Sequence, residues 1–233
     1  MDISNFHNLH AGETVLLVGN GKNLSETPPE WFGFPSIGMN TIYKYAGWKP
    51  TYYTAVDSRV WREFGQEIAE KYADIPKFVP RPNLDKWQGE NFYRFYHRPG
   101  ALFPMNGKPM LYDNLMSEEG ISYGNVMHVA MQLAAWMGFS TLLLIGVEHK
   151  PFHAQDHFWG CDHGMNVPPV EQWFDGYREI TAHLRHNGIR VLNISPNTHV
   201  DSKILPRGDW REWRNNEHKN DSTLSGRTTA SIS

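Results

Sequence analysis

The sequence predicts an α/β fold: a three-layer sandwich around a mostly parallel central sheet. Three observations carry that prediction. Short apolar runs alternate with stretches of helical spacing, the order in which successive βαβ units are written. The clearest runs, residues 14–18 (Thr-Val-Leu-Leu-Val) and 141–145 (Thr-Leu-Leu-Leu-Ile), are continuously apolar, as strands buried on both faces require. The chain, 233 residues long, is sufficient to bury one full core without a second domain. One domain is therefore assigned to residues 1–214. Residues 215–233 are polar, small and unpatterned, and are read as a disordered tail.

Each element follows from its local pattern. The strand at 14–18 ends at Gly19-Asn20-Gly21. A second strand is assigned to 36–39 and a third to 52–56, which ends at Asp57. Residues 59–73 place Val60, Phe64, Ile68 and Tyr72 at helical spacing. A strand at 77–79 is bounded by Pro76 and Pro80. Residues 81–119 are irregular; they hold a strand at 91–96 and otherwise cover the site as loops. The clearest helix is 124–137, closed by Gly138 as a C-cap. It leads into the strand at 141–145, then into an irregular, His-rich loop at 149–169. A helix at 170–187 ends at Gly188, and 189–194 is the last core strand. The segment 207–214 (Arg-Gly-Asp-Trp-Arg-Glu-Trp-Arg) reads as an amphipathic helix clamping the sheet, in preference to a stacking platform for a base or sugar.

Composition narrows the function. A net charge of -3 and a pI near 6.4 give no electrostatic footprint for nucleic acid. The single cysteine, Cys161, forms no internal disulfide and suits a reducing compartment. No run approaches the ~20 apolar residues of a membrane helix, and the first ten residues lack a secretory pattern. A cytoplasmic location is the expectation. The chain carries 9 Trp, 10 Tyr, 12 Phe and 12 His against 20% charged residues. Many of these lie in the two irregular segments, so the excess is read as the lining and lid of a polar-ligand cleft rather than as core.

In open α/β sheets ligands bind beyond the carboxyl ends of the strands, so the residues following each strand are the site candidates. Gly19-Asn20-Gly21 is either a cradle where backbone N–H groups meet an anion or a tight turn needing positive φ. Asn40 either holds a base, ribose or sugar or caps the next helix, and the local pattern favours the cap. Asp57 holds a ribose hydroxyl or a metal, or N-caps the helix after it. Ser122-Tyr123-Gly124-Asn125 precedes the strongest helix and is a second candidate anion site, or a capping turn. The fifth core strand runs into Gly146-Val147-Glu148-His149.

The loop beyond it gathers His149, His153, Asp156, His157, Cys161, Asp162 and His163. A metal is one reading, although neither HExxH nor a paired CxxC is present. A histidine acting as general acid or base is another, since imidazole titrates near neutral pH. A loop packed by its own rings, with histidines at the wet surface, is the third. No protease signature surrounds Cys161, which is treated as an incidental thiol.

The strand-end residues, in this order, resemble the 6-hydroxymethylpterin diphosphokinase-like proteins of the Maf flagellin-glycosylation type, a group distantly similar to the bacterial sialyltransferases that use CMP-sialic acid. The matching pieces are Gly19-Asn-Gly21, Gly38-Met-Asn40, Trp48 to Asp57, Ser122-Tyr-Gly124, Gly138 to Glu148 and Asn193-Ile-Ser195-Pro-Asn197. They span most of the chain; order and spacing carry the resemblance, not any single motif. Lys22 and Asn23 stand where that family prefers Pro and Ser, and Glu148 stands where Asp is usual.

The resemblance implies a Rossmann-like transferase that binds a nucleotide sugar. Gly19, Asn20, Gly21, Asn40, Asp57 and Glu148 would line the nucleotide or donor site, and Ser122, Tyr123 and Gly124 would lie against its phosphate. His157 or His163 would be the general base that deprotonates an acceptor hydroxyl, with Trp87, Tyr93, Tyr96, Phe152, Phe158 and Trp159 packing on sugar faces. Such a transfer requires no cofactor beyond the nucleotide-sugar donor and need not use a metal. The alternative is a diphosphokinase acting on a pterin-like alcohol, for which Mg²⁺ and the carboxylates Asp57, Glu148, Asp156 and Asp162 would matter more. A non-catalytic nucleotide- or glycan-binding module and a zinc hydrolase complete the alternatives.

Overall fold

The computed structural model describes residues 3–81, 87, 89–98, 111–116, 120–122, 124–149, 158 and 170–215. Eight strands form one sheet: β1 (Thr14–Val18), β2 (Ser36–Met39), β3 (Tyr52–Thr54), β4 (Lys77–Arg81), β5 (Phe92–Arg98), β6 (Ile121–Ser122), β7 (Thr141–Ile145) and β8 (Arg190–Asn193). Their order is β6-β5-β4-β3-β2-β1-β7-β8, and every pairing is parallel. The helices are α1 (Ser58–Lys71), α2 (Val126–Trp136) and α3 (Val170–His186). This is a Rossmann-like α/β sandwich, as the alternation of patterns in the sequence predicts.

Alternate strand residues face opposite sides of the sheet, and two apolar cores result. Val15, Leu17, Ile37, Met39, Phe78, Leu142, Leu144 and Val191 pack with α2, α3 and the turn Ile3–Phe6. Leu16, Val18, Tyr53, Val79, Leu143, Ile145 and Leu192 pack with Val60, Trp61 and Ile68 of α1, and with Ile42 and Tyr43. Helix α2 is buried all round, from Met127 to Trp136, because the sheet, α3 and the turn Tyr112–Asn114 enclose it. No helix among the described residues is long and apolar enough to cross a membrane.

Three expected elements change length for identifiable reasons. The third strand stops at Thr54 rather than residue 56: the Ala55 carbonyl accepts the Trp61 indole N–H at 2.8 Å, and Asp57 then starts α1. Strand β4 runs through Pro80 to Arg81. The Lys77 amide points to Asn91 on the β5 side (2.7 Å), so the amide Pro80 lacks would face β3, which pairs no further than Thr54 with Phe78. The segment 207–214 clamps the sheet as expected, but with one 3₁₀ turn, Trp210–Glu212, in place of a helix.

Many of the described aromatic residues are core, whereas most of the irregular segments 81–119 and 149–169, read as lining and lid, lies outside the described residues. Phe6, Phe32, Tyr43, Tyr52, Tyr53, Trp61, Tyr72, Phe78, Phe92, Phe95, Trp136, Phe139 and Tyr177 are all buried. Trp87 packs on Trp61 (centroids 5.6 Å apart) and over Gly65, where a Cβ would come within 2.1 Å of the indole. Tyr93 packs edge-on against Phe6 at 4.6 Å, and Tyr96 lies under Arg81 at 5.0 Å.

Candidate functional site

The chain adds β2 to β6 on one side of β1 and then returns to add β7 and β8 on the other. The reversal between β1 and β7 is a topological switch point, the place where ligands bind in open α/β sheets.

At that point Gly19 and Gly21 serve a close approach of two backbones. Neither has positive φ, which removes the tight-turn reading. Gly19 N–H donates to Ile145 O at 2.9 Å and Gly21 N–H to Gly146 O at 3.0 Å. A Cβ on Gly19 would sit 2.5 Å from Gly146 O, and one on Gly21 would sit 2.8 Å from it. Gly146 itself has φ +68. The amides of Gly19 and Gly21 are thus spent on the end of β7 rather than held ready for an anion.

Asn20, 8% exposed, joins the ends of β1 and β2: its Nδ2 donates to Met39 O (3.2 Å) and its Oδ1 accepts from Thr41 Oγ1 (3.2 Å). Its carbonyl accepts the Phe158 amide at 2.9 Å. Glu148, also buried, accepts the Asn23 amide on its carboxylate and so ties the loop after β1 to the loop after β7.

Asn40 does not act as a cap. The N-cap of the turn it opens is Met39, and Asn40 adopts a left-handed φ of +49. Its carbonyl accepts the Tyr53 hydroxyl at 2.6 Å, while its Oδ1 is buried with no partner among the described residues. Asn tolerates this left-handed conformation, as Asn8, Asn91 and Asn197 also show, so the buried oxygen without a partner is the feature that points to a ligand. Asp57 stands apart as the N-cap of α1, its carboxylate accepting the Arg59 amide at 2.7 Å.

Ser122 ends β6 at the sheet margin, and Tyr123 lies outside the described residues. Gly124 donates its amide to His128 Nδ1 at 3.0 Å, and Asn125 N-caps α2 by accepting the His128 amide at 3.1 Å. Gly124 and Asn125 thus form a capping turn.

Sequence reasoning missed what these caps build. His128 lies in the first turn of α2, edge-on to Tyr177 of α3 at 4.4 Å. The Tyr177 hydroxyl is 2.8 Å from His149 Nε2, and Asn125 also hydrogen-bonds Tyr177. His149, just past β7, has φ +46 and rings of Trp173 and Phe174 beside it. Burial, helped by nearby His149, pushes the His128 pKa down to about 3. Burial likewise pushes His149 down to about 4 and raises Tyr177 above the usual phenol range. Both imidazoles are therefore neutral at pH 7, and the Gly124 contact puts the His128 proton on Nε2. The loop-surface reading fails for His149. Asn125-x-x-His128 was the available signal, an N-cap followed by a titratable residue at N3; nothing local marked Tyr177.

No protein-family model matches the chain, and no curated protein matches it significantly.

His153, Asp156, His157, Cys161, Asp162 and His163 lie outside the described residues, as do Phe152 and Trp159. Phe158, one residue beyond His157, is described: its amide is on Asn20 and its ring is 5.5 Å from Tyr45. Among the described residues no three His, Cys, Asp or Glu side chains group as a metal centre. Two concavities of 290 and 370 Å³ lie elsewhere, lined by Trp136, Gly138 and Gly188 and by Arg185, Leu192 and Pro206. Neither contains a residue of the switch point, so their size carries no functional argument.

Proposed function

We infer that the chain is a glycosyltransferase that moves a sugar from a nucleotide-sugar donor to an acceptor hydroxyl, with His157 or His163 as general base. The observation that carries this reading is the Phe158 amide on the Asn20 carbonyl. It anchors the residue next to His157 at the end of β1, beside Asn40 with its left-handed backbone and unsatisfied Oδ1. A donor lying across the ends of β2, β1 and β7 would meet the Asn40 side chain. His157 or His163 would remove the acceptor proton as the nucleotide departs, its phosphate stabilised electrostatically and not covalently. Asn20 and Glu148 act in this reading by holding the strand-end loops in register. The resemblance to sialyltransferase-like proteins supports the same chemistry.

Thermal melts with CMP, UDP, GDP and ATP, each with Mg²⁺ or EDTA, test it. A shift with a nucleoside mono- or diphosphate that EDTA leaves intact is the expected result. Selective stabilisation by ATP with Mg²⁺ would replace this reading with the diphosphokinase. Asn40→Gly keeps the backbone conformation and removes the amide, so it should fold normally and lose at least tenfold in nucleotide affinity. One of His157→Ala and His163→Ala should keep nucleotide binding and lose turnover of the nucleotide sugar; full activity in both excludes a histidine base at either position.

A further inference from the structure

Near β8 and β1, the sheet face that carries α1 is closed by two tryptophan-bearing turns, Pro29–Trp31 and Trp210–Glu212, and Arg214 packs beside them. Arg214 is 6% exposed. Its Cζ lies 3.8 Å from the Trp31 ring centroid and 5.9 Å from that of Trp210, and the two indoles stack at 5.4 Å. Ring contacts offset part of the cost of burying a cation, but they do not replace the hydrogen bonds its N–H groups leave behind in water. The Arg214 Nε and Nη2 are buried with no hydrogen-bond partner among the described residues. The nearby turns' carboxylates make other contacts: Asp209 accepts from the Arg211 amide and guanidinium at 3.0 and 3.2 Å, and Glu30 accepts from the Tyr45 hydroxyl at 3.5 Å.

The two unsatisfied nitrogens are an informative pair. In a guanidinium, Nε–H and the terminal N–H on its own side point in parallel, spaced to meet two oxygens of one carboxylate or phosphate. We propose that Arg214 anchors an anion site, separate from the carboxyl edge of the sheet, that takes a phosphate or carboxylate oxyanion on its Nε/Nη2 side, beside the stacked Trp31 and Trp210 rings. The occupant supplies the acceptors that a buried cation lacks. It also fastens the β1–β2 crossover to the C-terminal segment, which the Asn215 amide on the Trp31 carbonyl already joins at 3.0 Å.

The test titrates the full chain with inorganic phosphate, malonate and chloride at constant ionic strength, reading thermal melts and tryptophan emission. Phosphate, malonate or both should stabilise saturably, by about 3–6 °C at ten times the half-saturating concentration. Emission should saturate at the same midpoint, because two indoles wall the site. Which anion acts at the lower midpoint separates phosphate from carboxylate recognition. Arg214→Lys keeps the charge and loses the fork; its midpoint should rise at least tenfold while its chloride response is unchanged. Equal gains in wild type and Arg214→Lys would identify general exclusion of the salts from the surface and overturn the proposal. So would wild-type emission that never saturates, a reading that stands even if the variant fails to fold.

Discussion

His128 and His149 bind no proton in the folded chain until the pH falls to about 3 and about 4, because burial disfavours the charged ring. An unfolded histidine binds its proton near pH 6.5. Between those values the unfolded state holds more protons, so stability is fully present above pH 6.5 and declines as pH drops toward 4. Each ring should contribute roughly 3 kcal/mol to that loss by pH 4. Urea unfolding between pH 4 and 6.5 measures it: His128→Gln should flatten the slope by about one proton, and an unchanged slope would exclude His128 from the acid response. This part of the site was only half legible in the sequence. The Asn125 cap could be read from its place before an apolar run. The meeting of His128, Tyr177 and His149 could not, because it depends on how α2 and α3 cross over the end of β7. Asn40 was legible as a strand-end residue, but its left-handed backbone shows only once the 3₁₀ turn after β2 is formed.

Glycines at two element ends separate two kinds of constraint. Gly12 has φ +84 and open space where a Cβ would stand, so Gly12→Ala costs backbone strain alone, about 1 kcal/mol. Gly19 has ordinary φ but no room, since the atom 2.5 Å from its Cβ position is a backbone carbonyl that cannot swing aside. Gly19→Ala should cost about 3 kcal/mol or more, and chemical denaturation of both variants checks the order. If Gly19→Ala proves the milder change, the packing of β1 against the end of β7 is looser than described. At this scale the sequence was most readable where burial on both faces forces an unbroken apolar run: β1, β2 and β7 lie where those runs predict. It was least readable where a neighbour decides the end of a strand. Pro80 looked like a stop because the early end of β3, which leaves its missing amide unneeded, is not written in β4.

Over the whole molecule, α2 and α3 cover one face of the sheet, while the other is closed by α1 and by indoles from segments far apart in sequence. Trp31→Ala removes the ring under Arg214 and the stack with Trp210. It should lower stability by about 2 kcal/mol, below the cost of emptying a fully buried site. Hydrogen exchange should then accelerate across 205–215 and leave β1 and β7 protected; uniform acceleration would mean the clamp and the sheet open together. The three-layer architecture was legible from pattern alone. The indole clamp was legible as a Trp/Arg cluster but not as the partner of Trp31, because local spacing carries no record of contacts between residues so distant in the chain.

The position of β1 also sets a schedule for synthesis. When β1 leaves the ribosome, β2 to β6 can add to one of its edges in turn, but the strand for its other edge arrives only with β7, paired from Thr14↔Thr141 to Val18↔Ile145. At translation rates of about 5–20 residues/s, that edge waits roughly 6–25 s with its apolar faces short of their full cover. An open, wholly apolar strand edge is the surface that wrong partners find first. The nascent chain is therefore most exposed to misassembly before residue 145 emerges, and substitutions that delay pairing of β7 should lower the yield of soluble protein more than their effect on the finished fold implies.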